Sequence, residues 1–319
     1  MIRAYCLRPM LLILFACAAS HTAHASQLVE AKLETRFLPG PVEYNVLLPD
    51  GYETEKGPLP LLLFLHGGGG DRTFLTRMRS AIDEMWKTGT LPKMVVVTPS
   101  AGRSFYMDYK DGSQKWESFI IGPFLEHLRA TYKVTRDRRG TLLFGISMGG
   151  LGALRLGFKY PEKFQGLAAL EPGTDPALKW SDVKPRNRFY RNDDLLETIF
   201  GKPFDAAYWE ANNPAAIAVA NADKIRKSGL EIYLDVGDED SFNLHESAEF
   251  MHRLLWDYKI LHEYHLIRGA DHVGRTLRPR SMDALTFLAR MLNPPPPDPE
   301  VENLKRTLAP MKRRAGVQL

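Results

Sequence analysis

The chain has 319 residues, of which 44% are hydrophobic, 10% aromatic and 25% charged, a profile that excludes a disordered, collagen-like or disulfide-stapled protein. Its length suits one large α/β domain or two small ones, with ample side chains for a core. The formal charge of +4, from 42 basic and 38 acidic residues, gives no argument for nucleic-acid binding, which calls for a concentrated basic face.

Arg3 and Arg8 precede an apolar run, Met10–Ala19, and small and polar residues then lead to Ala23-His24-Ala25. This pattern predicts a secretory signal over residues 1–25, cut before Ser26, because the run is too short to cross a bilayer as a stable helix. Leu14-Phe15-Ala16-Cys17 loosely resembles a bacterial lipoprotein signal, although Phe15 fits that pattern badly. The expectation is an exported protein, periplasmic or secreted, with no stable membrane span; lipid attachment at Cys17 is the minor alternative. Cys6 and Cys17 are the two cysteines, so the chain after Ser26 has no disulfide, thiolate metal site or cysteine nucleophile.

From residue 42 short apolar runs alternate with amphipathic stretches. Val42–Leu48 alternates like a strand, whereas Leu59–Leu65 and Met94–Thr98 read as continuously apolar, buried strands. Glu117–Tyr132 reads as a helix with Phe119, Ile120, Phe124, Leu128 and Tyr132 on one side. Then follow a strand at Thr141–Gly145, a helix from Met148 to about Lys159 and a strand at Phe164–Leu170. The last elements are strands at Glu231–Val236 and Glu263–Ile267 and helices at Leu244–Tyr258 and Pro279–Leu292. Such alternation predicts an α/β fold, a mostly parallel central sheet with helices on both faces.

Two segments interrupt the pattern. Residues 172–228, rich in Trp, Tyr, Asn and Pro, read as a cap-like insertion above the carboxyl edge of the sheet, where α/β folds build their crevices. A plain helical insertion without a ligand role is the alternative. Residues 293–319 open with four prolines, Pro294–Pro297, and end basic; the expectation is a disordered, solvated tail, with binding to an anionic surface as the sharper reading.

Chemistry concentrates at Gly145-Ile146-Ser147-Met148-Gly149, a G-x-S-x-G run between a strand and a helix. That context sets a serine oxygen on a tight turn, with glycines letting the backbone pass and the helix N-terminus offering free N–H groups to an oxyanion. His66-Gly67-Gly68-Gly69-Gly70 follows another strand and matches the loop that donates a second oxyanion N–H, from Gly67 or Gly68, beside that of Met148. Serine needs a base and an acid to orient it, in the order serine, acid, histidine. Of the nine histidines, His272 lies in a loop just past the last strand and is the candidate base; the others fall in the signal, the glycine loop, helices or the strand itself. For the acid, Asp235, Asp238, Glu239 and Asp240 crowd the end of the preceding strand, and position alone leaves the choice open. The same cluster suggests calcium but lacks the glycine and closing glutamate of the twelve-residue loop.

Together with Ser104–Asp108, Trp116-Glu117-x-Phe119, Phe200-Gly201, Tyr208-Trp209, Asn213-Pro214, Gly237-x-x-Asp240-x-Phe242 and Asp271-His272, these motifs resemble the putative-esterase branch of the α/β-hydrolases over residues 42–292. That branch includes S-formylglutathione hydrolases (esterase D), feruloyl and other carbohydrate esterases, enterochelin esterases and mycolyltransferases. The resemblance implies an α/β-hydrolase fold and Asp240, three residues after Gly237, as the acid, with Asp238 as understudy. Two departures, no cysteine near the site and an export signal, shift the expectation from S-formylglutathione hydrolase to exported carboxylesterases.

The expected function is an exported serine carboxylesterase using Ser147, Asp240 and His272 through an acyl-enzyme, acting on a small-molecule or carbohydrate-linked ester. No cofactor, metal or nucleic-acid partner is expected. An acyltransferase or peptidase on the same scaffold is one rival, and a catalytically idle carbohydrate-binding or scaffolding protein is another. Tyr106, Trp116, Tyr190, Tyr208 and Trp209 are candidates for an aromatic-lined acyl pocket or, alternatively, for core packing.

Overall fold

The structure, a computed structural model, describes residues 26–317. The expected signal falls outside the described residues, and with it the expectation of export. In chain order the elements are β1 (Gln27–Leu33), β2 (Val42–Leu48), β3 (Leu61–Leu65), α1 (Phe74–Thr88), β4 (Val95–Pro99), α2 (Trp116–Phe119), α3 (Leu125–Thr131), β5 (Thr141–Ile146), α4 (Met148–Lys159) and β6 (Gly166–Leu170). The insertion then contributes α5 (Pro185–Arg188), α6 (Asp193–Phe200), α7 (Ala206–Asn212), α8 (Pro214–Ala220) and α9 (Ala222–Ser228). After it come β7 (Glu231–Gly237), α10 (Leu244–Asp257), β8 (Glu263–Ile267), α11 (Leu277–Leu292) and α12 (Pro299–Arg314).

The strands form one sheet in the order β1-β2-β4-β3-β5-β6-β7-β8. β2 pairs antiparallel with both β1 and β4, and every later pairing is parallel. Strand pleating sends alternate side chains to opposite faces. Leu61, Leu63 and Leu65 therefore join the core beneath α4 with Phe119, Phe124, Leu154 and Phe158. Leu62 and Phe64 join the core beneath α1 and α11 with Ile82, Met85, Leu285 and Leu288. With helices on both faces, a central strand has no polar side, which is why β3 and β4 read as unbroken apolar runs.

Three expectations are revised. The single helix over 117–132 is broken: α2 and α3 are joined by one π-helical turn, Ile120–Phe124, because Pro123 has no N–H for the regular ladder. The tail is not wholly irregular, since Asp298 caps α12 through the N–H groups of Glu300 and Val301 and Pro299 occupies its first turn. β1 and α1 were not anticipated. β1 is a half-exposed edge strand, and α1 buries Leu75, Met78, Ile82 and Met85 on a face interrupted by charged residues.

A buried cation organises the α4 side. Arg155 of α4 donates to Glu117 Oε2 at 2.6 Å, to the Tyr106 oxygen at 3.2 Å, and to the Asn212 oxygen and Oδ1 at 2.9 and 2.7 Å. It thus ties α2, the loop before it and the end of α7 to the sheet. Asn221 donates to the Phe158 oxygen at 3.0 Å and fastens the insertion to α4 at a further point, while Asn213 donates to the Ala177 oxygen at 2.6 Å within the insertion itself. Burial pushes the Glu117 carboxyl up, but Arg155, Lys159 and Tyr160 outweigh it and hold the group at about 2. Glu117→Gln leaves Arg155 buried without its anion and should cost about 3 kcal/mol of stability. Because the folded carboxyl titrates below its ordinary 4.5, this contribution is present above that pH and lost as pH falls toward about 2. Thermal melts of both proteins should therefore converge on acidification.

Candidate active site

All the parallel strands end at one edge, and the residues just beyond β3, β5, β6, β7 and β8 meet there. The turn from β5 into α4 is the sharpest feature. Ser147 has φ 57° and ψ −116°, a conformation L-residues rarely adopt. A Cβ on Gly145 would lie 2.0 Å from the Gly149 oxygen, and one on Gly149 would lie 2.0 Å from the Leu65 oxygen. Both glycines of the G-x-S-x-G run are therefore required by contact as well as by the motif. The Ser147 N–H donates to the Leu170 oxygen at 2.9 Å, and the Ser147 oxygen accepts from Gly173 at 2.8 Å. Main-chain bonds thus hold the strained residue to the end of β6.

Ser147 Oγ lies 3.1 Å from His272 Nε2, and His272 Nδ1 lies 2.8 Å from Asp240 Oδ2. A carboxylate only accepts, so Nδ1 carries the proton and Nε2 is left to accept from the serine hydroxyl. Asp240 Oδ1 accepts the N–H groups of Phe242 and Leu244 at 2.9 and 3.2 Å, which fixes the carboxylate. The Phe242 ring packs edge-on against the imidazole at 4.5 Å.

The neighbouring acids are engaged elsewhere. Asp235 forms a buried bidentate pair with Arg280 of α11. Asp238 accepts the Gly269 N–H at 2.7 Å, and Glu239 is exposed. His127 bonds to Tyr44, and His252 to His262, away from this edge.

The glycine loop is braced by His66. Its Nε2 accepts the Ala101 N–H at 3.0 Å, so Nδ1 donates to the Gly67 oxygen at 2.7 Å. Burial lowers its pKa and keeps the ring neutral for this role. The Gly67 oxygen also accepts from the Gly70 N–H at 3.0 Å and so points into the loop. In a trans peptide the Gly68 N–H points the opposite way. Gly68 faces Met148, with an ideal Cβ 3.8 Å from the Met148 Cβ.

A cavity of about 560 Å³ opens over Ser147. Phe74, Phe105, Ile146, Tyr190, Phe242 and Leu277 supply its apolar wall. Of the five aromatic candidates only Tyr190 reaches it. Tyr106 is wholly buried and donates to the His66 oxygen, Trp116 packs on Phe119, Tyr208 on Phe200, and Trp209 on Trp180. The insertion also contributes Arg191, buried against Asp175 and donating to the Gly173 oxygen.

The sequence reading missed Glu171, the residue after β6. It is fully buried, and its Oε1 lies 3.9 Å from His272 Nδ1. Burial raises its pKa to about 7, against the opposing pull of His272 and Arg280. A charged residue directly after an apolar strand, in Leu170-Glu171-Pro172, was the available signal. Among the described residues, Glu171, Asp240 and His272 are the three potential ligands that lie close enough to hold a metal ion. Both imidazole nitrogens are already engaged, by Asp240 and Ser147, so a cation there would have to displace the histidine's hydrogen bonds.

An eight-stranded sheet of this order, with a strained serine between β5 and α4, defines an α/β-hydrolase. The chain belongs to the Esterase family, described as "Putative esterase", which matches residues 36–274. It is 29% identical over 254 residues to Esterase Rv1288 of Mycobacterium tuberculosis, covering 72% of this chain and 52% of that protein. The chain therefore spans about half the length of the curated relatives it matches first. A shorter stretch of 77 residues, 24% of this chain and 29% of the relative, is 36% identical to an acetyl esterase of Caldicellulosiruptor saccharolyticus. Among solved structures, a ferulic acid esterase superposes with a TM-score of 0.70 at 21% identity, covering 84% of this chain and 99% of that one. An S-formylglutathione hydrolase from Agrobacterium tumefaciens gives 0.67 at 20% identity, with 85% and 98% coverage. At those identities the likeness is one of fold.

Gly149→Ala should lower the melting temperature by several degrees, since overpacking costs about 1–3 kcal/mol and each kcal/mol is worth about 2–4 °C in a domain of this size. Differential scanning calorimetry reads this directly; an unchanged melt would mean that the β3 and β5 ends can separate freely.

Proposed function

We propose that this protein is an exported serine carboxylesterase that hydrolyses acyl esters through an acyl-enzyme. The observation that carries the reading is the continuous relay Ser147 Oγ–His272 Nε2 and Nδ1–Asp240, at 3.1 and 2.8 Å, at the floor of an apolar cavity.

In this reading His272 takes the hydroxyl proton as Ser147 Oγ attacks the ester carbonyl. Asp240 keeps the imidazole in the tautomer that can accept it and stabilises the imidazolium that results. The N–H of Met148, at the start of α4, and that of Gly68 hold the oxyanion; Gly68 is preferred to Gly67 on the orientation of their shared peptide. The imidazolium returns its proton to the departing alcohol, and water then repeats the sequence to free the acid. The aromatic and aliphatic wall suits an acyl group of low polarity, and the ferulic acid esterase among the structural neighbours makes an aromatic acyl chain the first to test. Export rests on the charged, apolar and small-residue order of residues 1–25.

Ser147→Ala should abolish hydrolysis of p-nitrophenyl acetate and labelling by a fluorophosphonate while leaving the melting temperature near that of the parent. Full turnover by this variant would reject the reading. Asp240→Asn, which permits the wrong tautomer, should reduce kcat by about 10³–10⁴-fold. An ester panel from acetyl to feruloyl, compared by kcat/KM, identifies the acyl preference.

A further inference from the structure

We propose that Glu171 is a second carboxylate serving His272, a positioning residue that joins Asp240 in stabilising the imidazolium formed when Ser147 gives up its proton. This rests on the esterase reading above and adds to it a group that the Ser-His-Asp relay does not use.

Two carboxylates converge on one ring nitrogen: Asp240 Oδ2 at 2.8 Å and Glu171 Oε1 at 3.9 Å from His272 Nδ1. Glu171 is fully buried, and its Oε1 has no hydrogen-bond partner among the described residues. Its Oε2 lies 2.9 Å from an Arg280 nitrogen. The same guanidinium is also held by both carboxylate oxygens of Asp235, so Arg280 is shared between two acids. Glu171 also sits at φ 37°, with its N–H bonded to the Asp235 oxygen at 2.6 Å. A buried acid with one oxygen on Arg280, the other turned toward His272 without a hydrogen bond, and a costly backbone conformation calls for a reason beyond packing.

The charged groups around it are His272 after β8, Asp240 after β7, Asp235 within β7 and Arg280 on α11. Asp271 lies one residue before His272 and accepts its N–H. With His272 neutral, a charged Glu171 adds a third anion to a pocket holding one cation. Proton transfer from Ser147 Oγ to Nε2 supplies the second cation, so an ionised Glu171 favours that step and a protonated one does not. Its carboxyl changes charge near neutral pH, being raised to about 7 chiefly by burial.

The test compares kcat/KM of the parent and Glu171→Gln across the pH range on p-nitrophenyl acetate, with fluorophosphonate labelling of Ser147 followed in parallel. At alkaline pH the variant should be about tenfold slower, the worth of one pK unit of interaction. The ratio should close toward unity on acidification, with its midpoint near 7, and Glu171→Asp should restore part of the pH dependence. A purely structural role gives a ratio independent of pH, and that outcome, or a ratio of one throughout, overturns the proposal. If Glu171→Gln fails to fold, the parent's acid limb decides: a slope steeper than one proton supports the coupled pair, and a one-proton slope rejects it. Failure to label Ser147 in the parent rejects the esterase reading itself; labelling with a flat ratio rejects only the role of Glu171.

Discussion

The rest of the site depends on one close approach, that of the β5–α4 turn to the end of β3. Gly149 is pressed against the Leu65 oxygen and Gly145 against Gly149 itself, so three backbones meet with no room for a methyl group between them. This crowding forces Ser147 out of the favoured backbone regions. The same crowding sets the glycine loop beside the first free N–H of α4. The serine turn and the glycine loop beside it are therefore set by one geometric event. The strain costs of order 1–3 kcal/mol, which the bonds from Ser147 to Leu170 and Gly173 and the packed core below help to offset.

Buried arginines form a second layer of order. Arg155 with Glu117, Arg191 with Asp175 and Arg280 with Asp235 are each nearly inaccessible; the first and last join segments distant in sequence, and Arg191–Asp175 braces the insertion from within. Desolvation makes such pairs poor sources of net stability, but removing one partner is expensive. Their value here is placement. Arg280 sets the floor beneath Glu171 and also donates to the Asp271 oxygen, next to His272. Arg191 donates to the Gly173 oxygen, one bond from the serine turn.

Much of this was legible beforehand, for physical reasons. Strands covered on both faces have no choice but to be apolar, so β3, β4, β5 and β6 declared themselves. Ser147 and His272 were readable because a G-x-S-x-G turn and a histidine just past the last strand occur at predictable places on an open sheet. Asp240 was not separable from Asp235 and Asp238 by position. What separates them is which side chain turns toward the imidazole and which toward Arg280 or Gly269, a matter of tertiary direction. Pro123 turned one amphipathic pattern into two helices, while α1 hid behind its own arginines and acids. Among the aromatic residues core packing was the better expectation, but composition reports abundance and not facing, so it could not separate Tyr190, Phe74, Phe105 and Phe242, which reach the cavity, from Tyr106 and Trp116, which are structural. Glu171 escaped notice because its meaning lies wholly in what stands across from it.

The insertion between β6 and β7 is pinned to α4 by Arg155 at Asn212 and by Asn221 at Phe158, and is braced internally by Asn213 at Ala177. Held in this way, it stands beside the cavity as part of the folded body. In the esterase reading proposed above, the acyl group enters an opening over Ser147 whose rim this frame supplies in part, through Tyr190 and Arg191.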